Sequence, residues 1–138
     1  MPPDEDRKEL SKFRIEKAEE NLRAAKLLFE NKLLRESINR SYYCIFHSAR
    51  ALIAYEKFDS KKHAGIIAYF DKNYIKTGEI EKEYSRIISK ALKIRTDSDY
   101  KDFYLVTRDE TKEQVENAEK FLNRIKAYIE GVYLTIAD

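Results

Sequence analysis

Residues 38–53 read Ile-Asn-Arg-Ser-Tyr-Tyr-Cys-Ile-Phe-His-Ser-Ala-Arg-Ala-Leu-Ile. At about 100° per residue, Ile38, Tyr42, Ile45, Ala49, Leu52 and Ile53 fall within one narrow arc, which predicts an amphipathic helix. Arg40, Tyr43, His47, Ala51 and Ala54 fall on the other side. Ala51 and Ala54 are small enough to let another helix approach. The pattern therefore predicts a helix covered on both sides, with a partner subunit as a candidate for the second cover. Its expected span is about Leu34 to Lys57.

The flanking sequence repeats the same period. Phe13, Ala18, Leu22, Ala25 and Phe29 make one stripe of a first helix from about Asp4 to Asn31, with Asp4, Glu5 and Asp6 favouring its N-terminus through the helix dipole. Ser60 is a plausible N-cap for a third helix from Lys61 to Ile75 that buries Ile66, Ile67 and Phe70. Gly78 suits a left-handed turn after it. A fourth helix, Ile80 to Arg95, carries Tyr84, Ile87, Ala91 and Ile94. The stretch Thr96 to Val106 reads as a loop. Thr107 and Glu110 stand three apart, as in a capping box, and open a last helix, Asp109 to Gly131, with Val115, Ala118, Leu122, Ile125 and Ile129 on one face. The only prolines are Pro2 and Pro3, and three glycines leave too few turn signals for an all-β chain. The expected fold is all-α: an up-and-down bundle of four to five helices in one domain over residues 1–138, with 1–3 and 132–138 as tails.

Charged residues make up 38% and apolar ones 43%, which fits a globular helical protein and excludes a disordered one. A net charge of +2 is too small for a nucleic-acid coat, so any RNA binding must come from a local patch and be sensitive to salt. A single cysteine, Cys44, forms no internal disulfide. With no secretory signal and no apolar run near 18 residues, the expectation is a cytoplasmic chain without a membrane span.

Arg40 and His47 are the leading candidates for chemistry. Seven residues is close to two helical turns, so both project from one face about 10 Å apart. Metal-free RNA cleavage needs proton transfer and positive charge beside the phosphorane-like transition state. Histidine titrates near neutrality, and arginine offers phosphate a fixed fork of donors. One such pair is half a site, and a two-fold dimer would bring two together. The alternative is that Arg40 pairs with Glu36 and His47 is an interface histidine. Lys57, Lys61, Lys62 and His63 form a second group, where cations at a helix start either bind an anion or make a solvated turn. In Arg95-Thr96-Asp97-Ser98-Asp99-Tyr100, Asp97 and Asp99 either hold a divalent ion or make a turn and cap, and Arg95 joins the Arg40 face or pairs with them. Of the ten tyrosines, Tyr43 lies nearest Arg40 and His47 and is the candidate for stacking on a base. Glycine-rich phosphate loops, zinc spacings and nucleophile triads are missing, so neither metal nor cofactor is expected.

The segment Arg40-Ser41-Tyr42-Tyr43-Cys44-Ile45-Phe46-His47-Ser48-Ala49-Arg50-Ala51-Leu52 resembles the HEPN domain, a helical family named for nucleotide binding in higher eukaryotes and prokaryotes. Lys62-His63-Ala64-Gly65-Ile66-Ile67 and Arg95 to Tyr100 are similar to later landmarks of its small stand-alone members. The resemblance spans nearly the whole chain. The family signature is an Arg followed, after four to six residues, by a His, and Arg40 and His47 match its long end. The resemblance implies a homodimer whose paired motifs line one cleft. It implies metal-independent endoribonuclease activity on single-stranded RNA in active members, often toxins or defence components, with Arg40 polarising the phosphate and His47 moving protons. It also implies a common nucleotidyltransferase partner, and a non-catalytic nucleotide- or RNA-binding or adaptor role in other members. Ser41 stands where active members often carry Asn, Asp or His. Ala49 stands where a tyrosine is modified in some paired systems, so that mode of silencing is not implied.

Overall fold

The computed structural model describes residues 3–56 and 58–134. These form α1 (Pro3–Glu30), α2 (Leu34–Ile53), α3 (His63–Phe70), α4 (Lys82–Tyr100) and α5 (Arg108–Ile129), with no strand among the described residues. The all-α bundle expected from the periodicity is what forms. Helix α3 runs on through a π-helical turn, Asp71–Ile75, and α5 through another, Glu130–Leu134.

Helix α2 is the axis. Twelve of its twenty residues are buried, too many for one stripe, so neighbours surround it: α1, α5, α4 and α3 all pack against it. Ala51 and Ala54 do admit a close neighbour, but the cover is this chain itself; they are 0% and 4% exposed. The expected partner-subunit cover over these two alanines is therefore corrected. Helices α1 and α2 run antiparallel. Ser37 Oγ near the start of α2 donates to Ala25 O at 2.7 Å, while Arg14 Nη1 donates to Arg50 O near its end at 3.0 Å. Serines 37, 41 and 48 are all fully buried, and their small size lets the neighbouring helices approach α2.

The joint between α1 and α2 is a Schellman cap. Lys32 takes the left-handed conformation (φ 63°), Leu33 N donates to Leu28 O at 2.9 Å and Lys32 N to Phe29 O at 3.0 Å. Gly78, at φ 80°, makes the left-handed turn expected of it. Thr107 caps α5 as read, its Oγ1 accepting from Glu110 N at 3.1 Å. The Glu110 carboxylate does not reach back; it accepts from Tyr104 Oη at 2.8 Å.

Four local expectations are corrected. Phe13 is 55% exposed, and Ser11 and Arg14 replace it on the buried stripe of α1. Helix α2 ends at Ile53, four residues early; Lys57 lies outside the described residues. Helix α3 begins at His63, so Lys61 and Lys62 precede it and Ser60 is not its N-cap; Ser60 Oγ accepts instead from Lys62 N at 3.1 Å. Residues 96–100 are not loop but the last turns of α4. There Lys93 and Lys101 both pair with Asp97 (3.1 and 3.4 Å) and Arg95 with Asp99 (3.3 Å). Pairs at i, i+4 contribute about 0.2–0.5 kcal/mol each, which helps carry poor helix formers such as Thr96, Asp97 and Ser98. Of the C-terminal tail, Tyr133 stacks on Tyr55 at 3.9 Å.

Candidate functional site

The α1–α2 seam opens into a cleft of about 440 Å³ lined by Lys17, Glu20, Asn21 and Ala24 from α1 and by Arg40, Tyr43 and His47 from α2. Arg40 and His47 therefore share one wall, as their spacing required. Arg40 is exposed, and its Nη1 donates to Asn21 Oδ1 at 3.3 Å. The alternative pairing with Glu36 is not made. Among the described residues no carboxylate forms an ion pair with Arg40, so its charge faces the cleft.

His47 is half-buried and not sealed. Its Nδ1 is buried without a hydrogen-bond partner among the described residues, which leaves Nε2 as the nitrogen available to the cleft. Burial first, then the charges of Arg50, Lys17, Arg14 and His63, push its pKa down to about 4. At neutral pH it is an uncharged imidazole, able to accept a proton but not to supply one. An anion beside it would favour the protonated form and draw the pKa back up.

Tyr43 joins this cleft to a second aromatic layer. Its ring centroid is 5.9 Å from that of His47 and 6.0 Å from that of His63, and its hydroxyl accepts from Arg95 Nη2 at 3.3 Å. The Arg95 guanidinium lies 5.4 Å from the Tyr43 ring and 5.5 Å from the Tyr42 ring, within cation–π range. His63 stacks on Phe46 at 4.1 Å, and its Nδ1 is 2.6 Å from Tyr42 Oη. Burial raises the Tyr42 phenol pKa, so the hydroxyl stays protonated, and the imidazole tautomer of His63 decides which of the two donates across this bond.

A profile of the HEPN domain matches residues 11–128. The chain belongs to the HEPN domain family. Three relatives span nearly the same length. A candidate toxin of Methanocaldococcus jannaschii is 45% identical over 122 residues, covering 86% of this chain and 87% of the relative. A UPF0332 protein of Thermotoga maritima is 32% identical, covering 84% and 88%. A second candidate toxin of M. jannaschii is 32% identical, covering 89% and 83%.

In this HEPN chain the residues singled out from the sequence separate into three groups. Arg40, Tyr43 and His47 line one cleft. His63 and Arg95 adjoin it through Tyr43. Lys61 and Lys62 are exposed on the α2–α3 connection and do not line this cleft. Arg95 both joins the aromatic layer and pairs with Asp99, so the two alternatives for it coexist. Asp97 and Asp99 are occupied by Lys93, Lys101 and Arg95 rather than forming a turn and cap. Among the described residues no group of three or more His, Cys, Asp or Glu is placed to hold a metal ion, and no helix is long and apolar enough to cross a membrane. The residues that sequence reasoning missed are Lys17, Glu20 and Asn21. They lie on the exposed side of α1, and only the antiparallel seam brings them opposite Arg40 and His47. A further hollow, of about 370 Å³, lies between α1 and α5 beside Ser11, Tyr55 and Ile129. It is the smaller of the two and holds neither histidine nor arginine.

Proposed function

We propose that this chain is a metal-independent endoribonuclease of the HEPN type, cutting single-stranded RNA as a homodimer that pairs two α1–α2 clefts, in a toxin or defence role. The observation that carries the reading is the convergence of Arg40, Lys17 and an uncharged His47 on one open cleft beside the Tyr43 ring. In the reaction the RNA 2′-oxygen bonds to phosphorus while the bond to the 5′-oxygen breaks. His47 takes the 2′-hydroxyl proton. Arg40 and Lys17 balance charge on the non-bridging oxygens. The leaving 5′-oxygen takes its proton from His47 of the second copy, which the bound phosphate holds as imidazolium, since a single His47 cannot hold both roles at once. Candidate-toxin names among the relatives agree with this role. Lys61, Lys62, His63 and Arg95 extend the RNA path in this reading, and the chain works in the cytoplasm.

The test is incubation of the purified protein with single-stranded RNA in excess chelator. Cutting that leaves a 2′,3′-cyclic phosphate and vanishes in His47→Ala is the expected result. Cutting by His47→Ala at the parent rate removes the assignment.

A second reading, a non-catalytic module docked on a protein partner such as a nucleotidyltransferase, draws on a different surface. Tyr100, Phe103 and Leu105 are 74%, 100% and 78% exposed around the α4–α5 connection. Apolar side chains this exposed are a common mark of a protein contact. Co-purification that is lost in Phe103→Asp while RNA cutting is absent in the parent would favour it.

A further inference from the structure

Beyond His47 the α1–α2 seam continues to a second cluster of charge. Arg14 is buried, at 8% exposure. Its Nη1 donates to Arg50 O at 3.0 Å and its Nη2 to Asp59 Oδ2 at 3.4 Å. Arg50 Nη2 donates to both Asp59 oxygens, at 3.1 and 2.9 Å. Two guanidinium groups thus share one carboxylate, and the buried Nε of Arg50 has no partner among the described residues. Positive charge gathered in a mostly buried place is costly unless an anion compensates it, and one carboxylate compensates only half.

Asp59 is poorly suited to be a permanent tie. Its side chain is 52% exposed and belongs to the α2–α3 connection rather than to a helix. Its one other hydrogen bond among the described residues is from Ser60 N, at 2.8 Å. A hollow of about 370 Å³, bordered by Arg7, Arg14, Glu56, Phe58 and Asp59, opens beside it, with the Glu56 carboxylate accepting from Tyr74 Oη at 3.1 Å. A phosphodiester matches the carboxylate in charge and in its two acceptor oxygens, and a forked arginine donor suits either.

The position agrees with the cleft. Because α1 and α2 are antiparallel, Asn21 meets Arg40 and Arg14 meets Arg50, with Lys17 and His47 between them. Arg40 and Arg50 are ten residues apart on one helix, about 15 Å along its axis. That separation suits different phosphates of one strand.

We propose that Arg14 and Arg50 form a second phosphate seat on this groove, for a phosphate flanking the one at Arg40, and that Asp59 is its resting occupant, displaced when the strand binds. The phosphate seat stands on its own geometry; its assignment to an RNA strand rests on the ribonuclease reading.

The test compares the parent, Asp59→Asn, Arg50→Gln and the double variant. Asparagine keeps an oxygen for both arginines and removes the competing charge, so the fold should survive; thermal melting checks this. The first probe is inorganic phosphate, followed through the Arg50 Nε–H and His47 ring resonances. Asp59→Asn should bind phosphate about tenfold more tightly than the parent, the scale of one charged hydrogen-bonded contact, and Arg50→Gln should remove the gain. The second probe is a non-cleavable 2′-O-methyl oligoribonucleotide. Asp59→Asn should bind it more tightly, with a log–log salt slope steeper by about 0.7, as for one added phosphate on a single strand. Equal phosphate affinity in Asp59→Asn and the parent, or shifts confined to His47, overturns the seat and makes Asp59 a staple only. A gain for phosphate without one for the oligonucleotide overturns the strand assignment. Neither probe is cut, so an inactive parent sinks the ribonuclease reading without touching the seat.

Discussion

Cys44 and His47 lie one turn apart on α2, and burial keeps both uncharged at neutral pH, yet only one stands where a ligand can reach it. Cys44 is fully buried against α5, with its Sγ 3.7 Å from Ala118 O, and burial pushes its thiol up to about 12. His47 is pushed down to about 4 by burial and by Arg50, Lys17 and Arg14, but it opens on the α1–α2 cleft. The difference teaches that a perturbed titration does not by itself mark a working group. The α5 side of the helix is sealed by Ala118 and Phe121, both 0% exposed. The α1 side meets it with Lys17, Glu20 and Asn21, long polar residues that leave a groove.

Exchanging damage between the two sides gives the largest contrast. His47→Ala should lower RNA cutting by about 10²–10⁴-fold, the range for a lost general base, with little change in stability. Ile45→Ala, two residues away and fully buried, should cost about 2–5 kcal/mol of stability while the folded fraction keeps its cutting rate. Chemical denaturation and a cleavage assay on the same preparations separate the two. A His47→Ala protein that unfolds as readily as Ile45→Ala would erase the distinction.

How much of this was legible in sequence follows from which residues speak for themselves. Apolar residues at helical period announce α2, α4 and α5 because burial is periodic, and Gly78 and Thr107 announce turns because their backbone needs are specific. Phe13 misled, since its spacing fits the stripe, yet it is exposed with Lys17 5.2 Å from its ring. Residues 96–100 misled because Thr, Asp and Ser favour turns, while the ion pairs that extend α4 show only once a helix is built. Arg40 and His47 were legible from spacing on one helix. Lys17 and Asn21 were not, because their place depends on the antiparallel register of α1 against α2, which no local pattern encodes.

The pH response sharpens the comparison next. The His47 pKa lies below its unfolded value of about 6.5, so between about pH 6.5 and 4 the unfolded chain binds more protons than the folded one. Its contribution is then fully present above pH 6.5 and is lost as pH falls towards 4. Denaturation at pH 7 and pH 5 should show a loss on the order of 1–2 kcal/mol in the parent that is missing from His47→Gln. Equal losses in both proteins would assign the response to carboxylates. The Cys44 shift runs the other way and offers a companion measurement. A thiol held up to about 12 and sealed from solvent should resist iodoacetamide at pH 8 in the native protein and react fully in denaturant. Labelling of the native chain would mean the α2–α5 side opens.

The smallest expected effect concerns Asn21. Its Oδ1 accepts from Arg40 Nη1 at 3.3 Å near the surface, a long bond between exposed groups, so it steadies the guanidinium without fixing it. Asn21→Ala should reduce cutting only about threefold, the low end for a single hydrogen bond, and leave stability unchanged. Arg40→Ala removes the charge itself and should cost far more. Asn21→Asp discriminates further, since a carboxylate there would pair with Arg40 and oppose an incoming phosphate, giving a larger loss than alanine does. If Asn21→Ala instead equals Arg40→Ala, then α1 supplies a group that touches the RNA, and the two helices are equal halves of the site rather than an active wall and its support.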